Sequence, residues 1–175
     1  LFRLIEYYEN GNKEKSVSDY GLCTFWYQNG KKMKEYTLDG RYNNNGQYTE
    51  WFPDGQIERS GQYKDGKKVG DWHLYYENNV LKTLTEYDDS GNLLSIKRYF
   101  EDGSLNKEAH YSNGTQITKE YDQAGKLIAM TNVDEQEIKK CIRYDKNGEV
   151  ISEKQYYRNR KYGKWTLFLN KNDQY

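Results

Sequence analysis

Residues 63–79 read YKDGKKVGDWHLYYENN and contain one complete copy of a unit that the rest of the chain repeats. Tyr63 ends a strand-like run, and Asp65-Gly66 is a turn signal, because Asp and Gly tolerate the positive φ of a tight hairpin. Residues 70–76 read as an aromatic strand, and Asn78-Asn79 mark the next turn. The segment therefore predicts a hairpin, a strand and a second hairpin.

The turn that follows the aromatic strand recurs at a nearly fixed spacing. In steps of 22 to 25 residues it ends at Gly30, Gly55, Asn79, Gly103, Gly125, Gly148 and Asn172. Four positions before these ends lie Trp26, Trp51, Tyr75, Tyr99, Tyr121, Tyr144 and Phe168. Only 16% of the chain is aromatic, so seven aromatic residues at seven positions indicate a repeat architecture.

A second series of turns falls midway between the first. It ends at Gly40, Gly66, Gly91, Gly114, about Gln136 and about Arg160. The turn between Gly125 and Gly148 has no glycine, and residues 134–136 are its natural position. A short helix over residues 135–143 is the alternative.

Composition decides how such hairpins form a fold. Only 35% of the chain is hydrophobic and 19 residues are Tyr, which is too little aliphatic material for a sandwich or barrel core. Repeats avoid this problem because each buries its face on its neighbours. The sequence therefore predicts an all-β fold, an elongated antiparallel β-meander of tandem hairpin repeats forming a largely single-layer twisted sheet. We expect about 14 strands with a period of about 24 residues, in a single repeat domain over residues 1–175 with about seven repeats, the first and last partial.

The alternation of side chains across a strand predicts two different faces. The residues that define the repeat are Gly21, Gly46, Gly70, Trp72, Gly163 and Trp165. Positions two, four and six after each glycine share one broadly apolar face, whereas position five points to the other face. That second face is predicted to carry a single aromatic column, flanked by Thr24, Thr49 and His73, which is the candidate binding site: Trp26, Trp51, Tyr75, Tyr99 and Tyr121. The competing interpretation is that the column only stiffens the sheet.

Charge and motifs exclude several classes of protein. Lys+Arg and Asp+Glu both number 27, so the basic surface that nucleic-acid binding requires is missing overall. The densest basic run, residues 158–164, is interpreted as a solvated strand edge, with an anion or lipid-headgroup patch as the alternative. Cys23 and Cys141 are too far apart for a disulfide scaffold or zinc site, and His73 and His110 lack metal-ligand spacing. We expect no catalytic residues, no cofactor and no metal, and no stretch approaches the length of a membrane span.

The pattern GDWHLYYEN at residues 70–78, with YKDGK before it, resembles the MORN repeat in its bacterial variant form. It is similar to the YwqK-type antitoxin group of MORN-variant proteins. The resemblance covers nearly the whole chain, is strongest at residues 21–79 and 157–172, and is weakest at residues 115–140. Most copies lack the additional glycines of the eukaryotic pattern. The resemblance implies a β-meander used as a binding surface, the YwqK group implies neutralisation of a toxin, and the eukaryotic relatives imply membrane or lipid association.

Two functions follow as expectations. The first is a non-catalytic scaffold for protein–protein interaction, acting as an antitoxin or immunity protein. The second is a structural or envelope-associated repeat protein with membrane lipid contact. We expect a monomer with a protein partner and no nucleic acid. Because the chain begins Leu1-Phe2-Arg3 without Met, we expect a trimmed or processed product, and both a cytoplasmic and an envelope location stay open.

Overall fold

The computed structural model describes residues 2–168, and every regular element in that range is a β-strand. The chain divides into two compact units, Leu1–Leu93 and Leu94–Tyr175. The single repeat domain over residues 1–175 stays a prediction.

The first unit contains eight strands, each paired antiparallel with the next in sequence. They are β1 Phe2–Tyr7, β2 Lys13–Ser18, β3 Leu22–Trp26, β4 Lys32–Leu38, β5 Asn44–Trp51, β6 Ile57–Lys64, β7 Lys67–Tyr75 and β8 Leu81–Tyr87.

The second unit repeats this arrangement with seven strands, the first of which begins one residue before the boundary. They are β9 Leu93–Tyr99, β10 Leu105–Ser112, β11 Thr115–Tyr121, β12 Leu127–Val133, β13 Ile138–Tyr144, β14 Val150–Tyr157 and β15 Arg160–Leu167. The predicted all-β meander of antiparallel hairpins is confirmed, with 15 strands within residues 2–168 where about 14 were expected for the chain. The alternative of a helix over residues 135–143 is wrong, because β13 occupies most of that segment.

The turns of the first series are three-residue hairpin loops. In the loop after β3, the Gly30 N–H donates to the Tyr27 carbonyl at 2.9 Å, and the Tyr27 N–H donates to the Lys31 carbonyl at 2.8 Å. Only the last loop residue, Gly30, has a positive φ, of 81°. This is a type I turn closed by a bulge, in which one left-handed residue suffices. The asparagine of an Asn-Gly pair such as Asn29-Gly30 therefore does not need a positive φ in this series.

Two-residue turns with positive φ at both positions do occur in the second series. Asp65 and Gly66 have φ of 50° and 79°, and Asn113 and Gly114 repeat this with 46° and 76°. The turn predicted at Gly40 instead places Tyr42 in the left-handed region, at 64°.

A two-residue bulge explains the Gly-x-Trp motif. Between the pairs Gln62↔Val69 and Ser60↔His73, the single residue Gly61 lies opposite residues 70–72. A glycine suits the bulge because Gly70 has a φ of 61°. In β14 and β15 the register shift between Glu153 and Gln155 leaves residues 163–165 opposite one residue in the same way.

The pairing of β10 with β11 contains no such bulge. It runs without a register shift from Ser112↔Thr115 to Lys107↔Glu120. The step from Gly103 to Gly125 is 22 residues, two shorter than the 24 from Gly55 to Asn79. The missing Gly-x pair therefore accounts for the shorter repeat.

Neither unit has a conventional core. The buried apolar residues are only Cys23, Val69, Trp72 and Ala109 among the described side chains. Successive repeats are instead joined at their turns by side chains that bond to the next repeat. The Tyr8 hydroxyl donates to the Trp26 carbonyl at 2.8 Å, and the Tyr27 hydroxyl donates to the Trp51 carbonyl at 2.7 Å. Stability of this kind is a sum of nearest-neighbour terms.

Candidate functional site

The predicted aromatic column lies at the ends of the odd-numbered strands. Trp26, Trp51 and Tyr75 are the last residues of β3, β5 and β7 in the first unit. Tyr99 and Tyr121 hold the same place in β9 and β11 of the second unit. All five side chains are half-buried.

Column members of the first unit alternate with cross-strand partners. Trp26 pairs with Lys32, and Trp51 pairs with Ile57. The Lys13 ammonium lies 5.7 Å from the Trp26 ring centre, and the Lys32 ammonium lies 5.5 Å from that of Trp51. The column is therefore a row of aromatic rings interleaved with lysine and isoleucine, with favourable cation–π contacts at its first two members.

Small polar residues flank the column on the same face. Thr24, Glu35 and Thr49 pair across β3, β4 and β5, and Ser60 and His73 continue this polar row through β6 and β7. Thr24 is 4% exposed, and its hydroxyl donates to the Glu35 carboxylate at 3.1 Å. The His73 ring stacks on Tyr75 with centres 6.2 Å apart. The aromatic column and polar row together form what we call the column face.

The sequence analysis predicted a broadly apolar opposite face, but not that its aromatic residues form one continuous set. We call it the aromatic ladder, and it runs through Phe25, Tyr36, Tyr48, Tyr63 and Trp72. Ring centres of successive members are 6.0, 6.1, 5.6 and 4.8 Å apart. The signal was present in the sequence, because Tyr36 and Tyr63 precede the second turn series and the other three follow motif glycines. Only the strand register shows that these two sets meet.

Trp72 is the last member of the ladder, and its ring occupies the space left by the missing side chain of Gly61. Its ring lies over Gly61, where an added Cβ would come within 2.3 Å of the indole. The indole N–H donates to the Gln62 carbonyl at 3.2 Å, and the Lys68 ammonium lies 4.3 Å from the ring centre. Burial, with Arg59 nearby, lowers the pKa of Lys68 below its ordinary value. Trp165 repeats the bond to a backbone carbonyl, at Gln155 and 2.9 Å.

A carboxylate completes the polar edge of the ladder. The Tyr48 hydroxyl donates to Glu50 at 2.5 Å, and Arg59 forms an ion pair with the same carboxylate at 3.3 Å. Burial raises the pKa of Tyr48 well above its ordinary value, and the hydrogen bond to Glu50 raises it further. Tyr48 therefore remains a neutral donor throughout the physiological range.

Tyr121 of the column belongs to a different polar cluster, in the second unit. Its hydroxyl donates to Glu108 at 2.7 Å, and Lys119 lies 3.4 Å from the same carboxylate. Burial and this hydrogen bond raise the pKa of Tyr121 to about 12. The hydrogen bond from Tyr121 is the main cause that lowers the pKa of Glu108.

Among residues 2–168, no group of three or more His, Cys, Asp or Glu side chains is arranged to hold a metal ion. Cys23 and Cys141 are free thiols. No helix in the described part of the chain is long and apolar enough to cross a membrane.

The repeat geometry agrees with a family comparison. The family described as MORN repeat variant matches residues 19–39, 44–65 and 95–113. The chain carries MORN repeats of the variant type. The first match covers β3 and β4 and the second covers β5 and β6, both in the first unit, and the third covers most of β9 and all of β10 in the second unit. The MORN-variant prediction is confirmed, and a repeat scaffold is the function that such repeats indicate. No curated protein matches the sequence.

Three solved structures are weakly similar to this chain. A mutant of S. aureus TarM in complex with fondaparinux, alpha-GlcNAc-glycerol and UDP is similar at 11% identity and a TM-score of 0.34, over 55% of this chain and 19% of that one. The GtfA/B complex bound to UDP and GlcNAc gives 13% identity and a TM-score of 0.23, over 59% of this chain and 21% of that one. The TcdB2–TccC3–Cdc42 complex gives 9% identity and a TM-score of 0.23, over 93% of this chain and 10% of that one. The chain thus spans about a fifth or less of each of these chains, and the TM-scores are too low to indicate a shared fold.

Proposed function

We propose that this MORN-variant chain is a non-catalytic repeat scaffold that binds another protein, and that it acts as a monomer. The observation that carries the proposal is the half-exposed aromatic surface. Trp26, Trp51 and Tyr75 lie on one face of the first unit, with part of each ring accessible to solvent. Tyrosine and tryptophan are the residues most enriched at binding hot spots.

The column face suits a protein surface better than the ladder face. On the ladder, neighbouring rings pack against one another, as Tyr63 and Trp72 do with ring centres 4.8 Å apart. On the column face, Lys32 lies between Trp26 and Trp51, and the half-buried Thr49 lies beside them in the polar row. A rigid aromatic anchor beside adaptable hydrogen-bonding groups is the usual composition of a recognition surface.

The test compares aromatic truncations on the two faces. Trp51→Ala and Tyr75→Ala remove column rings, and Tyr36→Ala is the matched control on the ladder face. Each tagged variant is used to capture proteins from the native organism, and captured bands are identified by mass spectrometry. We expect both column variants to stay folded and lose one protein that the wild type and Tyr36→Ala retain. Unchanged capture by folded column variants would contradict the proposal.

Within this function, we propose a toxin as the partner, with the chain as its antitoxin. The support is the similarity of residues 70–78 to the YwqK-type pattern. The experiment is growth rescue: the product of a gene adjacent to this one is expressed alone and together with the chain. We expect growth arrest by the neighbour alone and recovery on co-expression. If no adjacent product arrests growth, the antitoxin proposal fails while the scaffold proposal stands.

Lysines above aromatic rings favour a second function, contact with anionic lipids by an envelope-associated protein. Lys34 lies 5.0 Å from the Phe25 ring centre and Lys15 lies 5.7 Å from it. Interfacial aromatic residues beside cations are typical of membrane surfaces. Flotation with anionic vesicles tests this function, and salt-sensitive binding lost in Lys15→Glu/Lys34→Glu would favour it over the protein partner.

A further inference from the structure

A pocket opens in the second unit where β9, β10 and β11 lie side by side. Its volume is about 220 Å³. Ala109 and Thr118 line it and are only 6% and 5% exposed. Tyr111 and Ile96 line it as well. A cavity of about 150 Å³ already binds benzene, so this pocket accommodates an aromatic ring.

The corresponding place in the first unit is filled by the chain's own tryptophan. Counting back from the turns Asp65-Gly66 and Asn113-Gly114, Ala109 corresponds to Gly61 and Tyr111 corresponds to Tyr63. Trp72 lies over Gly61, with its ring 4.8 Å from that of Tyr63. In the second unit Thr118 is paired with Ala109, so a threonine stands where the first unit has the indole.

The missing bulge explains why no other side chain fills the pocket. The inserted Gly70-Asp71 pair lets Trp72 reach across β6 to the Gln62 carbonyl. β11 has no insertion, so its side chains project in the regular register and Gln116 turns back to Thr118, donating at 3.0 Å. The pocket is therefore built by the sequence and is a consequence of the shorter repeat.

Charge at the pocket points to an anion. The first unit has the ion pair Glu50–Arg59 at 3.3 Å, and the residues in the corresponding places are Arg98 and Lys107, which face each other across β9 and β10. Lys107 is paired with Glu120 at 2.7 Å. Arg98 is exposed and has no hydrogen bond or ion pair within the described residues. Because Glu120 already neutralises Lys107, the unpaired charge at the pocket is the Arg98 guanidinium, which suits a bound carboxylate.

We propose that the β10–β11 pocket binds an aromatic ring that carries a neighbouring carboxylate, presented by a protein partner as an aromatic residue next to an acidic one. The ring takes the place that Trp72 has in the first unit, and the carboxylate binds the Arg98 guanidinium. The statement that a protein partner supplies the ring rests on the proposed function. The specificity for ring plus carboxylate rests on the pocket alone.

The first experiment titrates the intact ¹⁵N-labelled chain with N-acetyl-tryptophan, which has a free carboxylate, and with N-acetyl-tryptophanamide, which has none. We expect shifts of backbone amides confined to the β9–β11 region, with an affinity on the order of 1 mM for the acid, as for other fragments of this size. The amide should bind several-fold more weakly. No saturable shift in this region, or equal binding of acid and amide, overturns the proposal.

Matched variants test the two parts of the pocket separately. Ala109→Phe fills it and should abolish binding, whereas Ala129→Phe adds the same ring on β12 outside the pocket and should bind like the wild type. Arg98→Glu changes an exposed side chain, so it should fold normally and weaken acid binding by about fivefold while leaving the amide unaffected. Equal loss with both phenylalanine variants, or no change in Arg98→Glu, contradicts the assignment.

A capture experiment separates this inference from the proposed function. If the wild type and Ala109→Phe capture the same protein equally well, the scaffold proposal stands and the partner does not use this pocket, which overturns the inference. If the wild type captures no partner, the proposed function fails, and the titration with the acid and the amide still decides whether the pocket recognises the ring and carboxylate.

Discussion

Replacing Trp72 with alanine tests whether neighbouring repeats supply the stability of this fold. Trp72 is 4% exposed, and its ring contacts Tyr48 at 5.5 Å and Tyr63 at 4.8 Å between centres. Truncation of a buried tryptophan costs about 3–5 kcal/mol. Two aromatic pairs contribute about 0.5–1.5 kcal/mol each, and the indole hydrogen bond to Gln62 contributes about 1 kcal/mol. We therefore expect a loss near the middle of that range, about 4 kcal/mol.

Trp165 provides the comparison, because it has the same motif position with fewer aromatic partners. It is half-buried, and among the described residues its ring contacts one aromatic ring, that of Tyr156 at 5.2 Å, together with the ammonium groups of Lys154 and Lys161. Its indole bond to the Gln155 carbonyl is as good as that of Trp72. We expect Trp165→Ala to cost about 2 kcal/mol, since one aromatic pair and part of the burial are missing.

Native-state hydrogen exchange is the appropriate assay, since repeat arrays need not unfold in one step. A loss of about 4 kcal/mol should speed exchange of β6 and β7 amides by roughly 10³-fold in Trp72→Ala. Trp165→Ala should affect β14 and β15 by a smaller factor. Trp72→Phe, which keeps a ring and loses the bond to Gln62, should fall between the wild type and Trp72→Ala. Equal losses for the two alanine variants would refute the nearest-neighbour reasoning.

Four further predictions concern single positions and the solution structure. Gly61→Ala should destabilise the first unit by about 1–3 kcal/mol, because its Cβ would clash with the Trp72 indole, and urea unfolding measures the loss. Tyr42→Gly should stabilise the first unit by about 1 kcal/mol, because Tyr42 has a left-handed φ of 64° that glycine adopts at little cost. A lower midpoint of urea unfolding for Tyr42→Gly would contradict this. The pKa of Glu108 is lowered in the folded state, so its hydrogen bond with Tyr121 stabilises the fold at pH values above the ordinary carboxyl pKa. This stabilisation is lost as the pH falls through the folded pKa of Glu108. The difference in unfolding free energy between the wild type and Tyr121→Phe should therefore shrink in acid. Infrared amide bands should show β-sheet with under about 10% helix.

The spacing of turns predicted the strands because each turn is decided locally. The aromatic residue four positions before a turn end is the last residue of its strand in β3, β5, β7, β9, β11 and β13. Strand ends follow from turn chemistry, which needs only a few adjacent residues. The turn without a glycine is predicted at residues 134–136, and the structure ends it one residue later, at Glu137, which takes the left-handed conformation with a φ of 64°.

Contacts between strands were harder to predict because they depend on register. Tyr36 precedes a turn of the second series and Tyr48 follows the motif glycine Gly46, yet the two are directly paired and stack. The residue between Trp26 and Trp51 also depends on register. The shift in the pairing of β3 with β4 places Lys32 opposite Trp26, and the Lys32 ammonium lies over the Trp51 ring. A bulge shifts every later pairing by one or two positions, so the faces could be predicted within one strand but not from one repeat to the next.

The bulge itself links repeat length to binding. With Gly70-Asp71 inserted, the repeat fills its own groove with Trp72 and gains stability. Without the insertion, the β10–β11 repeat is two residues shorter and leaves a pocket beside Ala109. In this chain the absence of the dipeptide leaves the pocket beside Ala109 open, and the backbone pairing of β10 with β11 stays intact.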